Sequence, residues 1–141
     1  MKFIKLAKSY LRQARARVND AEDAYNEGNY PYAVRLSQEA VELSLKASLR
    51  LVGIEYPKIH DVSDILIISK NRFPEWFRRE IPFLAETSKK LVKKREISFY
   101  GGEEGFLSPE DLISKKDAED AVKRAKKITM LCEKLLEQYG K

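Results

Sequence analysis

Residues 30–52, "YPYAVRLSQEAVELSLKASLRLV", constrain the fold more than any other stretch. At about 100° of rotation per residue, Ala33, Leu36, Ala40, Leu43 and Ala47 form one apolar stripe. Val34, Val41, Leu45 and Val52 form a second, well round the cylinder. A helix covered on two sides has to lie centrally in a bundle or across a dimer seam. Only a narrow polar ribbon is left over: Arg35, Glu39, Glu42 and Lys46. Glu42 and Lys46 stand in the favourable i, i+4 order, and they either form a solvated ion pair or line a cleft. Asn29 or Tyr30 can serve as N-cap, with Pro31 in the first turn, where its missing N–H does no harm. Gly53 ends the segment.

The rest of the chain also reads as helical. Phe3, Leu6, Tyr10, Ala14, Ala21 and Tyr25 keep mostly to one side of a first helix that stops at Gly28. A short third helix has His60 or Asp61 at its start and Val62, Ile65 and Leu66 facing inward. "PEWFRREIPFLAETSKKLVKKRE" gives a fourth, with a kink or break near residues 79–81 because Pro82 lies inside the pattern. Its last turns carry Lys89, Lys90, Lys93, Lys94 and Arg95, where basic groups offset the carbonyl end of a helix dipole. Phe99, Tyr100, Gly101 and Gly102 then close it. Ser108, Pro109 and Asp111 begin one short turn, and Ser114 with Asp117 has the spacing of a capping box. Ala118, Ala125, Cys132 and Tyr139 recur every seven residues in the final helix, filled in by Val122, Ile128 and Leu135. No alternation of strand length competes. The expected fold is therefore all-α, an up-and-down bundle of four long helices plus a short one, in a single domain over residues 1–141.

Composition narrows the function. With 141 residues, 43% of them apolar, the chain can bury one real core. No segment approaches the ~18 uninterrupted apolar residues of a membrane helix, and the charged start does not read as a signal peptide; a cytoplasmic location without membrane contact is expected. One cysteine and one histidine cannot make a zinc site, so no metal or cofactor is expected, and Cys132 reads as core. The net charge of +5 favours phosphate-bearing partners. "YGGEEG" lacks the Gly-Lys-Ser/Thr ending of a P-loop, and Glu103 and Glu104 count against a phosphate cradle.

"AYNEGNYPYAVRLSQEAVELSLKASLRLVGIEYPKIHDVSDIL" resembles the first half of a HEPN domain. The features are a small residue plus tyrosine at Gly28 and Tyr30, then Gln38, Glu42 and Lys46, then the His60–Asp61 pair. "KKREISFYGGEEGFLSPEDLISKKDAEDAVKRA" is similar to the loop that leads into the last helix of one branch of that family. The resemblance implies a homodimeric helical bundle whose cleft handles nucleotides or RNA, often beside a small nucleotidyltransferase as its partner or as the toxin of a toxin–antitoxin pair. "AYNEGNYPYAVRLSQEAVEL" also resembles one tetratricopeptide unit, but no second copy follows about 34 residues on.

Active HEPN ribonucleases pair an arginine with a histidine four to six residues later. Here Arg95 is present, but the slot holds Tyr100, and His60 lies far upstream. Imidazole titrates near ~6.5 and a phenol near ~10, so tyrosine is a poor base at neutral pH. The resemblance thus implies nucleotide or RNA binding without cleavage. Arg95 and Lys94 supply charge, Phe99 or Tyr100 a stacking surface, and Glu42 with Lys46 part of the cleft. The alternatives are an interaction subunit of a nucleotidyltransferase, or an atypical metal-independent ribonuclease using Arg95 with Tyr100 or His60. His60 itself reads as a structural residue that caps or braces the loop before the third helix.

Overall fold

A computed structural model describes residues 2–102 and 105–140; Glu103 and Glu104 lie outside them. The four long helices are α1 (Lys2–Asn26), α2 (Tyr30–Leu51), α5 (Ile81–Tyr100) and α7 (Lys115–Tyr139). Between them lie α3 (Ser63–Ile68), α4 (Glu75–Arg78) and α6 (Pro109–Leu112), with a 3-10 turn at Lys70–Arg72. The bundle is all-α, and α2 packs against α1, α5 and α7 at once, as its two apolar stripes require. Ala33, Val34, Ala40, Leu45, Ala47 and Leu49 of α2 are fully buried. Ser44 Oγ meets Thr129 Oγ1 at 3.0 Å, which satisfies two buried hydroxyls across the α2–α7 seam.

Breaks between elements follow from local chemistry. Gly28 (φ +80°) and Gly53 (φ +76°) end α1 and α2 in the left-handed region open to glycine. Pro82 sits in the first turn of α5, where it costs no hydrogen bond, so the expected kink is a complete break that sets α4 apart. Capping boxes form at Ser108–Asp111 and Ser114–Asp117.

One expected stripe is displaced, and another holds except at its last position. On α1 the core face is Ala7, Leu11, Ala14, Val18, Ala21 and Ala24, whereas Phe3 is exposed and Tyr10 and Tyr25 only flank the core. Large aromatics mark the shoulder of this face, and the small residues that let α2 approach closely occupy its centre. On α7 Ala118, Ala125 and Cys132 are fully buried, but Tyr139 lies at the exposed end, past the last packed turn. Burial raises the Cys132 thiol well above its ordinary range, consistent with an inert core residue.

Candidate functional site

The polar ribbon of α2 faces the start of α3 and the second half of α5, and the side chains meet there in a chain of contacts. Glu42 is the hub. Its Oε1 accepts from Gln38 Nε2 at 2.9 Å and from His60 Nδ1 at 2.8 Å, and its Oε2 accepts from Lys46 Nζ at 2.9 Å. Burial pushes the Glu42 carboxyl up, but the bonds from Gln38, Lys46 and His60 outweigh it and hold the pKa below the ordinary value. The Glu42 and Lys46 side chains are only 17% and 13% exposed, so this is no solvated pair.

Across the ring from Glu42, His60 Nε2 stands 3.3 Å from Arg95 Nη1. Because the carboxylate can only accept and the guanidinium can only donate, Nδ1–H donates to Glu42 and Nε2 is the acceptor that faces Arg95. Both bonds hold the loop before α3, and Asp61 adds to them: its Oδ1 accepts from Ser63 N at 2.9 Å and Ser88 Oγ at 2.8 Å. Burial raises the Asp61 carboxyl, and the Ser63 and Ser88 bonds bring it below its usual value. Of the two roles expected of His60, bracing is the one its contacts fit, since it joins the loop before α3 to α2 and α5, while Asp61 takes the first N–H of α3.

Arg95 does not serve the helix dipole either. The α5 helix runs on to Tyr100 and its last turn contains no basic residue. The Arg95 guanidinium carbon lies 5.1 Å from the Phe99 ring centroid, and its Nε is buried with no hydrogen-bond partner among the described residues. Among those residues no carboxylate pairs with it. His60, Val92, Arg95, Glu96, Phe99 and Tyr100 line an open cleft of about 290 Å³. Tyr100, 64% exposed, stands at its rim.

Lys94 is not brought in. Its Nζ bonds Asp117 Oδ1 at 3.0 Å, which ties α5 to the start of α7 and neutralises it. Lys90 is held likewise by Asp120, so the larger hollow along Glu86, Lys89, Lys90, Lys93 and Lys94 is partly compensated. Arg35 does not line this cleft but stands beside it, against Phe99, and only its place in the ribbon hinted at it. It lies two turns before Glu42 on the same face, and its guanidinium carbon is 4.3 Å from the Phe99 centroid. No three His, Cys, Asp or Glu side chains converge as metal ligands among the described residues.

The loop beyond α5 is built by its glycines. Gly101 (φ +66°) lets the chain fold back so closely that a Cβ there would meet Leu107 O at 2.2 Å. Gly102 and Leu107 then exchange backbone hydrogen bonds at 3.0 Å each way. The reversal leaves Phe106 96% exposed.

Comparison with known proteins agrees with this architecture. The model of the HEPN domain family matches residues 7–135. "Putative toxin MJ1304" of Methanocaldococcus jannaschii is 28% identical over 144 residues, covering 97% of this chain and 93% of that protein. The crystal structure of TT1696 from Thermus thermophilus superposes with a TM-score of 0.71 at 25% identity, over 91% of this chain and 96% of that one. ST0689, described as an archaeal HEPN homologue, superposes with a TM-score of 0.65 at 23% identity, over 92% and 97% of the two chains. With the family pattern spanning nearly all of its helices, the chain belongs to the HEPN domain family.

Proposed function

We propose that this domain binds a nucleotide or single-stranded RNA in the cytoplasm, gripping a phosphate in the cleft between α2, α3 and α5 without cleaving it. One observation carries the reading: Arg95 is held beside His60 and Phe99 with its Nε unpartnered and with no ion-pair carboxylate among the described residues. A guanidinium placed this way offers its fork to a phosphate. Tyr100 offers a base a stacking surface, a contact of about 1–3 kcal/mol. The net charge of +5 favours encounter with a polyanion.

The binding assay is fluorescence anisotropy with a labelled single-stranded RNA. Wild type is expected to bind, more weakly as salt rises, and Arg95→Met to lose at least about tenfold in affinity. Equal binding by Arg95→Met and wild type contradicts the reading.

A homodimer belongs to the same proposal: Tyr100, Phe106 and Leu107 leave an apolar rim beside the cleft that a second copy can cover. The candidate toxin among the relatives supports an alternative in which the domain docks a small nucleotidyltransferase as the toxin half of a pair. Capture of such an enzyme at the Tyr100 rim, lost in Tyr100→Ser, tests it.

Cleavage is a second reading, favoured by the Glu42–His60–Arg95 alignment. Here Nε2 of His60 takes the 2′-hydroxyl proton, the 2′-oxygen attacks phosphorus, the P–O5′ bond breaks, and the imidazolium returns that proton to the leaving 5′-oxygen, giving a 2′,3′-cyclic phosphate. Cyclic-phosphate ends that persist in EDTA and vanish in His60→Gln establish it; intact RNA after incubation with wild type rejects it.

A further inference from the structure

Arg35 and Tyr32 stand beside the cleft and are joined to it through Phe99. The Arg35 guanidinium carbon lies 4.9 Å from the Tyr32 ring centroid and 4.3 Å from that of Phe99. Arg95 lies 5.1 Å from the same Phe99 ring. Two guanidinium groups therefore share one aromatic ring and repel each other across it. The acid one turn along from Arg35, Glu39, is turned away to Arg17 Nε at 2.9 Å. Among the described residues, Arg35 like Arg95 has no carboxylate partner. The molecule thus holds two cations without ion-pair partners among the described residues, both within about 5 Å of one ring centroid, an arrangement that successive anionic groups of one ligand relieve. Among the described residues Arg35 makes no side-chain hydrogen bond and Arg95 uses only Nη1, toward His60, while the guanidinium of each rests near an aromatic ring.

We propose that Tyr32 and Arg35 form a second phosphate subsite continuous with that of Arg95, so that the cleft takes a strand with at least two consecutive phosphates in preference to a mononucleotide. Phe99, engaged by both cations, is the spacer between the subsites. Base stacking passes to the rings at either end, Tyr32 (39% exposed) and Tyr100. The inference rests on the reading of the cleft as a phosphate site and goes beyond it in naming the ligand's length and the residues that measure it.

Titration calorimetry with adenosine 5′-monophosphate and with a 5′-phosphorylated diadenylate separates the two. Wild type is expected to bind the dinucleotide at least about tenfold more tightly, from one added charge-assisted contact. Arg35→Met keeps an apolar stem against Phe99 and Tyr32, and is expected to remove that gain while leaving mononucleotide affinity within about twofold. Arg35→Lys restores the charge and is expected to recover part of the gain, which covers the case in which Arg35→Met does not fold by circular dichroism. A dinucleotide preference that survives in both variants overturns the second subsite while leaving the first intact. Affinities for both ligands unchanged in Arg95→Met overturn the phosphate reading itself, and the subsite with it.

Discussion

At the scale of single residues, the Glu42 hub is the feature with the most at stake. Its carboxylate accepts from Gln38, Lys46 and His60 in a nearly covered position, so replacing it leaves a largely covered lysine without its ion-pair partner. Glu42→Gln is expected to destabilise the fold by about 1–3 kcal/mol, read from urea denaturation. The sign of the pH dependence follows from the lowered carboxyls of Glu42 and Asp61. A folded-state pKa below the unfolded one stabilises the fold above the unfolded value, and that contribution disappears as pH falls through the folded value. The urea midpoint should therefore hold from neutral pH down to about 5 and decline below about 4. Glu42→Gln should show a shallower decline, and an unchanged acid limb in this variant would count against the hub. Asp61 and the two Ser–Asp capping boxes were legible in the sequence because their partners lie two or three residues away. The His60–Arg95 contact spans 35 residues and depends on how α3 and α5 pack, which no local pattern encodes.

At the scale of elements, glycine and proline positions were readable and helix faces only partly so. Gly28, Gly53 and the break before Pro82 fall where backbone sterics require them. The α1 face was missed because its core is mostly alanine and valine, while the eye-catching tyrosines sit on its shoulders. The two glycines that end α1 and α5 differ in a measurable way. Gly28 has left-handed backbone but open space around it, whereas at Gly101 a Cβ would run into the Leu107 carbonyl. Gly28→Ala should cost about 1 kcal/mol from backbone strain alone. Gly101→Ala should cost more, at least about 2 kcal/mol, and displace the loop that carries Phe106. Equal thermal shifts for the two variants would contradict the close-approach account. Ser114→Ala removes the cap of α7 and should cost about 1 kcal/mol by the same measurement.

At the scale of the whole molecule, the centrality of α2 links fold to site. The helix that packs on α1, α5 and α7 carries on its remaining strip Arg35, Gln38, Glu42 and Lys46, so the core that fixes α2 also fixes the cleft. The pairing of two copies through the Tyr100–Phe106 rim is tested by sedimentation equilibrium. Wild type should be a dimer and Phe106→Glu a folded monomer; a monomeric wild type sinks this part of the proposal. The central claim is that the groups gathered by α2, α3 and α5 meet a phosphate, and nitrogen-resolved NMR of the arginine Nε–H groups and the one imidazole tests it most directly. As a short single-stranded RNA is added, the signals of His60, Arg35 and Arg95 should shift together and saturate. If those three stay still while Arg12 and Arg15, on the far hollow between α1 and α7, respond instead, the cleft is not the binding site.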